Sequence, residues 1–250
     1  MTDVHGFGID IGGTGMKAAI VDLVTGTLVS QRHRIATPRP ATPAAMADVV
    51  TRLVEGHRWS APLGVAFPGI VHHGVVGLAA NIDRSWVGVD ADALFGAACG
   101  HPVSMINDAD AAGVAEVRLG AGRGRTGVVI MLTFGTGIGS GLFIDGRLVP
   151  STELGHLELD GHDAETRASA VARERDGLGW REWALRVERY LRHLELLFSP
   201  DLFIVGGGAS KVAAEWLPYV SIDTEIVPAT MANNAGIVGA ALVGAGLETT

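Results

Sequence analysis

Two stretches of this 250-residue chain follow the same plan about half a chain apart. Residues 8–29 read GIDIGGTGMKAAIVDLVTGTLV, and residues 128–149 read VVIMLTFGTGIGSGLFIDGRLV. Each gives an apolar strand, a glycine turn, a second strand, a tight turn and a third strand. In the first copy the second turn is Thr25-Gly26; in the second it is Asp145-Gly146, a two-residue hairpin signal. A repeat of this kind predicts an α/β chain of two similar domains, each opened by a three-stranded meander, with ligands held in a cleft between them.

The segments between the copies fit that plan. Residues 43–57 carry Ala44, Val49, Val50, Leu53 and Val54 at helical spacing. PLGVAFPG at 62–69 reads as a buried strand ending in a Pro68-Gly69 turn, and PVSMINDADAAGVAE at 102–116 as a strand passing into a helix. Asn107 and Asp108 fall at that junction, where either side chain is able to cap the helix and where ligands collect in α/β sheets. Residues 164–197 read as a charged helical region, and DLFIVGGGAS at 201–210 as a strand, a glycine turn and a helix starting at Ser210. A helix of small residues, 234–244, closes the chain. No flexible linker interrupts the composition. The boundary is expected as a hinge near Asn107 and again near Gly236, giving a small domain of residues 1–106 with a C-terminal helix, 237–250, packing back on it, and a large domain of residues 107–236.

Composition narrows the functions. A net charge of −8 supplies no basic field for nucleic acid, so any polyanion must be held by a local patch. The single cysteine, Cys99, rules out an internal disulfide and disfavours a thiolate metal site. With no secretory signal pattern at the N-terminus, a cytoplasmic location is expected. Residues 126–144 carry no charge, but their five glycines suit strands and a turn rather than a membrane span.

The first glycine turn places Asp10, Gly12, Gly13, Thr14, Gly15 and Lys17 together. Backbone N–H groups, a hydroxyl, an ammonium and a carboxylate in one tight loop are what a phosphate and its magnesium ion need. It is not a Walker loop, because Met16 separates Gly15 from Lys17 and Ala18 follows. A hairpin built only for chain reversal would account for Gly12 and Gly13, and would leave Asp10, Thr14 and Lys17 unexplained. In the second turn Thr133, Gly135, Thr136 and Gly137 again alternate hydroxyls with glycine. Alone that pattern also marks bulged or closely packed strands; its weight comes from repeating the first turn.

DIGGTGMK, the Pro68-Gly69 turn, Asn107-Asp108, FGTGIGSG, Glu153-Leu154-Gly155-His156 and VGGGAS, in this order along the chain, resemble the ROK family of sugar kinases. LTFGTGIGS and AANIDRSWVG look, within it, like the actinobacterial polyphosphate glucokinases. The resemblance implies a duplicated actin-like, ribonuclease H-like fold and transfer of a phosphoryl group from polyphosphate, and from ATP as well, to the 6-hydroxyl of glucose. It implies Asp108 as the base that accepts the hydroxyl proton, with Gly69, Asn81, Asn107, Glu153, His156 and Glu165 joining Asp108 in contacts to glucose. It assigns the donor to the two glycine turns and to Gly207 and Gly208, with Mg2+ held mainly by the donor and by Asp10. It also implies a homodimer. The alternatives are an ATP-dependent hexokinase for glucose or mannose, and a non-catalytic sugar sensor.

Departures from the family pattern matter as much. Many members hold zinc through a histidine and three cysteines after the glutamate-glycine-histidine segment, and here LELDGHDAE has no cysteine, so no zinc site is expected. His156 with His162 would make a poor metal pair. The helix-turn-helix of the family's repressors is not expected either. Arg118, Arg123 and Arg125 in RLGAGRGR are a candidate track for the outer phosphates of a polymer, or solvated loop arginines.

Overall fold

The structure, a computed structural model, describes residues 4–78 and 82–247. It forms two compact units, one of residues up to Ala115 and from Asn234 onward, the other of Glu116–Asn233. The chain begins with β1 (His5–Gly12), β2 (Gly15–Asp22), β3 (His33–Ile35), α1 (Pro43–His57), β4 (Leu63–Phe67), β5 (Ile70–His72), β6 (Val75–Leu78), α2 (Ala91–Cys99), β7 (Val103–Asn107) and α3 (Asp108–Leu119). It continues with β8 (Val128–Phe134), β9 (Ile138–Ile144), β10 (Arg147–Val149), β11 (Glu158–Leu159), β12 (His162–Asp163), α4 (Glu165–Ala168), α5 (Ala170–Arg175), α6 (Trp180–Phe198), β13 (Leu202–Gly207), α7 (Ala213–Trp216) and β14 (Glu225–Pro228). The last helix, α8 (Ala235–Gly244), returns to the first unit.

The sequence repeat is carried into topology. The first sheet runs β3-β2-β1-β4-β7 and the second β10-β9-β8-β13-β14. In both, two antiparallel hairpin links build the meander and two parallel partners follow. The β9–β10 turn uses Asp145 at φ 49° and Gly146 at φ 77°, the left-handed pair that matches the twist of a two-residue hairpin. One expectation fails here. After Thr25-Gly26 only a single bridge, Val21 to Leu28, forms, and the third strand of the first meander is β3, paired with β2 through Met16–Ile35, Lys17–Arg34 and Ala18–His33. Polar Ser30, Gln31 and Arg32 intervene, so the apolar run that resembles a strand does not coincide with the paired segment.

Helices cover the sheets through their apolar faces. α1 starts at Thr42, whose hydroxyl accepts from the Ala45 N–H at 3.4 Å, with Pro43 in the first turn. Its Met46, Val49, Val50, Leu53 and Val54 join Phe7, Ile9, Val65 and Phe67 in the core of the first unit. β4 is buried along its whole length, as a central parallel strand covered on both faces must be. α8 packs backbone to backbone on this sheet: a Cβ built on Gly64 would lie 1.8 Å from the Ala240 carbonyl oxygen. In the second unit Trp183, Tyr190, Leu191 and Leu194 of α6 pack with Ile130, Phe134 and Phe203.

The expected helical region 164–197 is broken into α4, α5 and α6, because Ser169 takes extended backbone to cap α5 and Gly177 takes φ 65° ahead of α6. Ser210 does not start a helix: it lies in a 3-10 turn, its hydroxyl donating to the Gly207 carbonyl at 2.9 Å, and α7 begins at Ala213. The uncharged stretch 126–144 forms β8 and β9, and among the described residues no helix is long and apolar enough to cross a membrane.

Candidate active site

In the first unit the β1–β2 hairpin sets the first glycine turn. Register places Asp10 opposite Lys17, and Lys17 Nζ lies 3.2 Å from Asp10 Oδ2. Gly13 and Thr14 are exposed at the tip. Arg34, absent from the residues picked out of the sequence, completes this loop: its guanidinium donates to the Thr14 carbonyl at 2.7 Å and to the Thr14 hydroxyl at 3.3 Å. The signal that would have found it is the Lys17–Arg34 pairing, which depends on placing β3 correctly.

Asn107 and Asp108 stand at the end of β7 and the start of α3. The capping role goes to Asn107, which is buried: its Oδ1 accepts from Ala109 N–H at 2.8 Å and from Asp110 N–H at 3.1 Å. Its Nδ2 donates to the Gly69 carbonyl at 3.1 Å, so the Pro68-Gly69 turn and the base of α3 meet. A carboxamide has two N–H hydrogens, and this contact uses one of them. Asp108 is exposed in the first turn of α3, its Oδ1 2.9 Å from the Ala109 N–H. Asn81 lies outside the described residues.

In the second unit the parallel pairing of β8 with β13 sets Thr133 beside Gly206 and Phe134 beside Gly207. The second glycine turn and the Gly207-Gly208 segment therefore adjoin. The turn is closed by the Gly135 N–H on the Gly137 carbonyl at 3.0 Å, with Thr136 exposed at its tip. Glu165 supports it from behind, Oε2 accepting from Ile138 N–H at 3.0 Å. A Cβ at position 137 would lie 2.2 Å from that oxygen, so a side chain there would displace the Glu165 carboxylate.

Glu153, His156 and Glu165 come together in this unit. Ser140 holds the segment ahead of them, its Oγ donating to the Thr152 carbonyl at 2.6 Å and accepting from Leu154 N–H at 2.9 Å. Burial raises the Glu153 carboxyl above the usual range, the Glu165 charge adds to that, and His156 opposes it. The His156 imidazole is raised above its ordinary value by its hydrogen bond to Asp163, with Glu165, Asp163 and Glu153 adding negative charge around it. Because that shift is upward, the stability it contributes is full below the ordinary imidazole value and is lost as pH climbs through the raised one. His156 Nδ1, Asp163 and Glu165 present ligand-type atoms within 4.8 Å of one another. His162 is not among them: its Nε2 accepts from Arg167 at 2.8 Å. A cavity of about 420 Å³ lined by Leu159, His162, Arg167, Leu185, Arg189 and Tyr190, among others, contains none of the expected site residues.

Of the three arginines of the candidate track, Arg123 and Arg125 lie between α3 and β8 and are exposed, and Arg125 is paired with Glu225 at 2.7 Å. Arg118 is half-buried in the last turn of α3.

Paired meander sheets, each with a glycine turn at the end of its first strand, together with clustered carboxylates and an imidazole, define the actin-like sugar kinase class. Residues 6–170 match the ROK family, and the chain belongs to that family. The chain is 50% identical over 242 residues to the polyphosphate glucokinase of Mycobacterium tuberculosis (strain ATCC 25618 / H37Rv), covering 96% of this chain and 91% of that one. Among solved structures it is similar to the inorganic polyphosphate/ATP-glucomannokinase of Arthrobacter sp. strain KM, at 56% identity and a TM-score of 0.90 over 97% of this chain and 99% of that one. It is also similar to the ROK glucokinase of Streptomyces griseus bound to glucose and AMPPNP, at 28% identity and a TM-score of 0.79 over 96% and 98% of the two chains.

Proposed function

We propose that this protein is a polyphosphate-dependent glucokinase that also accepts ATP. The observation that carries the reading is the near full-length similarity to a polyphosphate glucokinase and to a polyphosphate/ATP-glucomannokinase. Asp108 accepts the proton of the glucose 6-hydroxyl as its oxygen bonds to the terminal phosphorus; the bridging P–O bond breaks, and a polyphosphate one unit shorter leaves with glucose 6-phosphate. Asn107, Glu153, His156 and Glu165 hold the sugar hydroxyls, so that a wrong epimer leaves polar groups unpaired. Lys17, Arg34 and the N–H groups of both glycine turns hold the phosphates.

Asp10 fits a magnesium ion that stays mostly with its donor. It offers a single half-buried carboxylate with one oxygen on Lys17, fewer ligands than a protein-built cage would need. The ion, when bound, neutralises phosphate charge. Gly207-Gly208 beside the second turn supports ATP as the alternative donor. The enzyme acts in the cytoplasm as a homodimer on this reading.

The test is a comparison of initial rates with long-chain polyphosphate and with ATP, at equal Mg2+, on glucose and on mannose. Glucose-dependent consumption of polyphosphate is expected; turnover with ATP alone would leave an ATP-dependent hexokinase, and no phosphorylated product with either donor would leave a sugar sensor. Arg123 and Arg125 lie on the path of the outer phosphates. Neutralising both is expected to weaken binding of long polyphosphate and to flatten its salt dependence by roughly one unit of log-log slope per charge lost. An unchanged slope would return them to the role of solvated loop residues.

A further inference from the structure

An exposed imidazole at the end of a 3-10 turn has two ring nitrogens and a freely turning ring, so something must choose which nitrogen carries the proton and where the other points. His156 is 46% exposed, and its Nδ1 lies 2.9 Å from Asp163 Oδ2. The chain is built to bring them together. β11 begins two residues after His156, pairs with β12 through Glu158–Asp163 and Leu159–His162, and is closed by the Ala164 N–H on the Leu157 carbonyl at 2.9 Å. Glu165 does not do the same work, since its Oε1 is 4.0 Å from Nδ1 and its Oε2 holds Ile138.

Asp163 is also poorly explained as a stabilising residue. Among the described residues its one ion pair is with His156. Its second oxygen, Oδ1, is buried with no protein hydrogen-bond partner, and the hydroxyl of Tyr190 is buried in the same state. Burial, then the charges of Glu165 and Asp163, holds that phenol in its neutral form. Among the described residues no buried cation offsets the carboxylate, and leaving such an oxygen without a donor is costly.

We propose that Asp163 is a positioning residue for sugar binding: it fixes the proton on Nδ1 of His156 and so presents Nε2 to a hydroxyl of the sugar. This rests on the reading of His156 as a sugar contact. The groups facing the imidazole are Asp163 from β12, Glu165 from α4 and Glu153 from the segment before it. Only Asp163 reaches Nδ1 within hydrogen-bond distance.

The experiment compares the intact enzyme with D163N, D163A, H156A and H156A/D163A, after circular dichroism confirms folding. The KM for glucose is expected to rise about tenfold in D163A and less in D163N, which keeps an acceptor oxygen, with kcat within about twofold. H156A raises KM at least as much, and the double variant is no worse than H156A. The His156 resonances, followed by NMR, titrate at lower pH in both Asp163 variants. If H156A raises KM while D163A leaves it unchanged, Asp163 does not position the ring, although the sugar contact stands. If H156A itself leaves KM unchanged, both readings fall. Losses in the double variant that add, or a fall in kcat with KM unmoved, assign Asp163 a structural role and overturn the proposal.

Discussion

Replacing Asp108 by asparagine is expected to cut kcat by about 10²- to 10⁴-fold, the usual contribution of a general base, while glucose binding is retained. The fold permits a clean test. Asn107 supplies the cap of α3, accepting from Ala109 and Asp110, so removing the Asp108 charge does not remove the side chain that holds the helix start. Thermal stability should therefore stay close to that of the parent. Glucose affinity by calorimetry, set against turnover in a coupled assay for glucose 6-phosphate, separates the two functions of the site. Near-normal turnover would remove Asp108 from the base role. A large loss of stability would mean that its position, rather than its proton chemistry, had been tested.

Gly64→Ala is expected to destabilise the folded protein severely, and it carries the largest stability effect predicted for this chain. A methyl group at Gly64 would lie 1.8 Å from the Ala240 carbonyl oxygen and 2.9 Å from the Gly244 nitrogen, while a Cβ on Gly244 would lie 2.2 Å from the Gly64 nitrogen. The contact is backbone against backbone, so no side chain is able to turn aside. α8 would have to lift from β4, uncovering Ile237, Val238 and Leu242, all fully buried. A cost of at least about 4 kcal/mol is expected, close to the lower end of the roughly 5–15 kcal/mol that stabilises a domain. Urea unfolding and soluble yield measure it. Gly13→Ala is the control: a Cβ there meets nothing within 4 Å, so stability should not change, whatever happens to phosphate binding.

How much of this was legible beforehand depended on whether the cause was local. The first two strands of each meander, the helix at 43–57 and the Asp145-Gly146 hairpin are specified by period and turn chemistry within a few residues, and each formed where the residues called for it. β3 did not, because its position is fixed by pairing with β2 across a polar excursion, and a three-residue edge strand has almost no pattern of its own. Arg34 was lost with it. Asp163 was missed for a related reason: seven residues separate it from His156, and only the small β11–β12 hairpin folds one onto the other. Its own letters, within a charged run, resemble a solvated surface. Asn107 and Asp108, by contrast, were marked by their place at a strand end, and the division of labour between them needed coordinates.

Glu165 ties the backbone of Gly137-Ile138 to the cluster that includes Glu153 and His156. On the proposed reading, one carboxylate thus belongs at once to the acceptor side and to the donor side of the reaction. Attempts to retune this enzyme toward another hexose through position 165 are therefore expected, on that reading, to disturb how it handles its phosphate source, so that the two preferences would be redesigned as a pair.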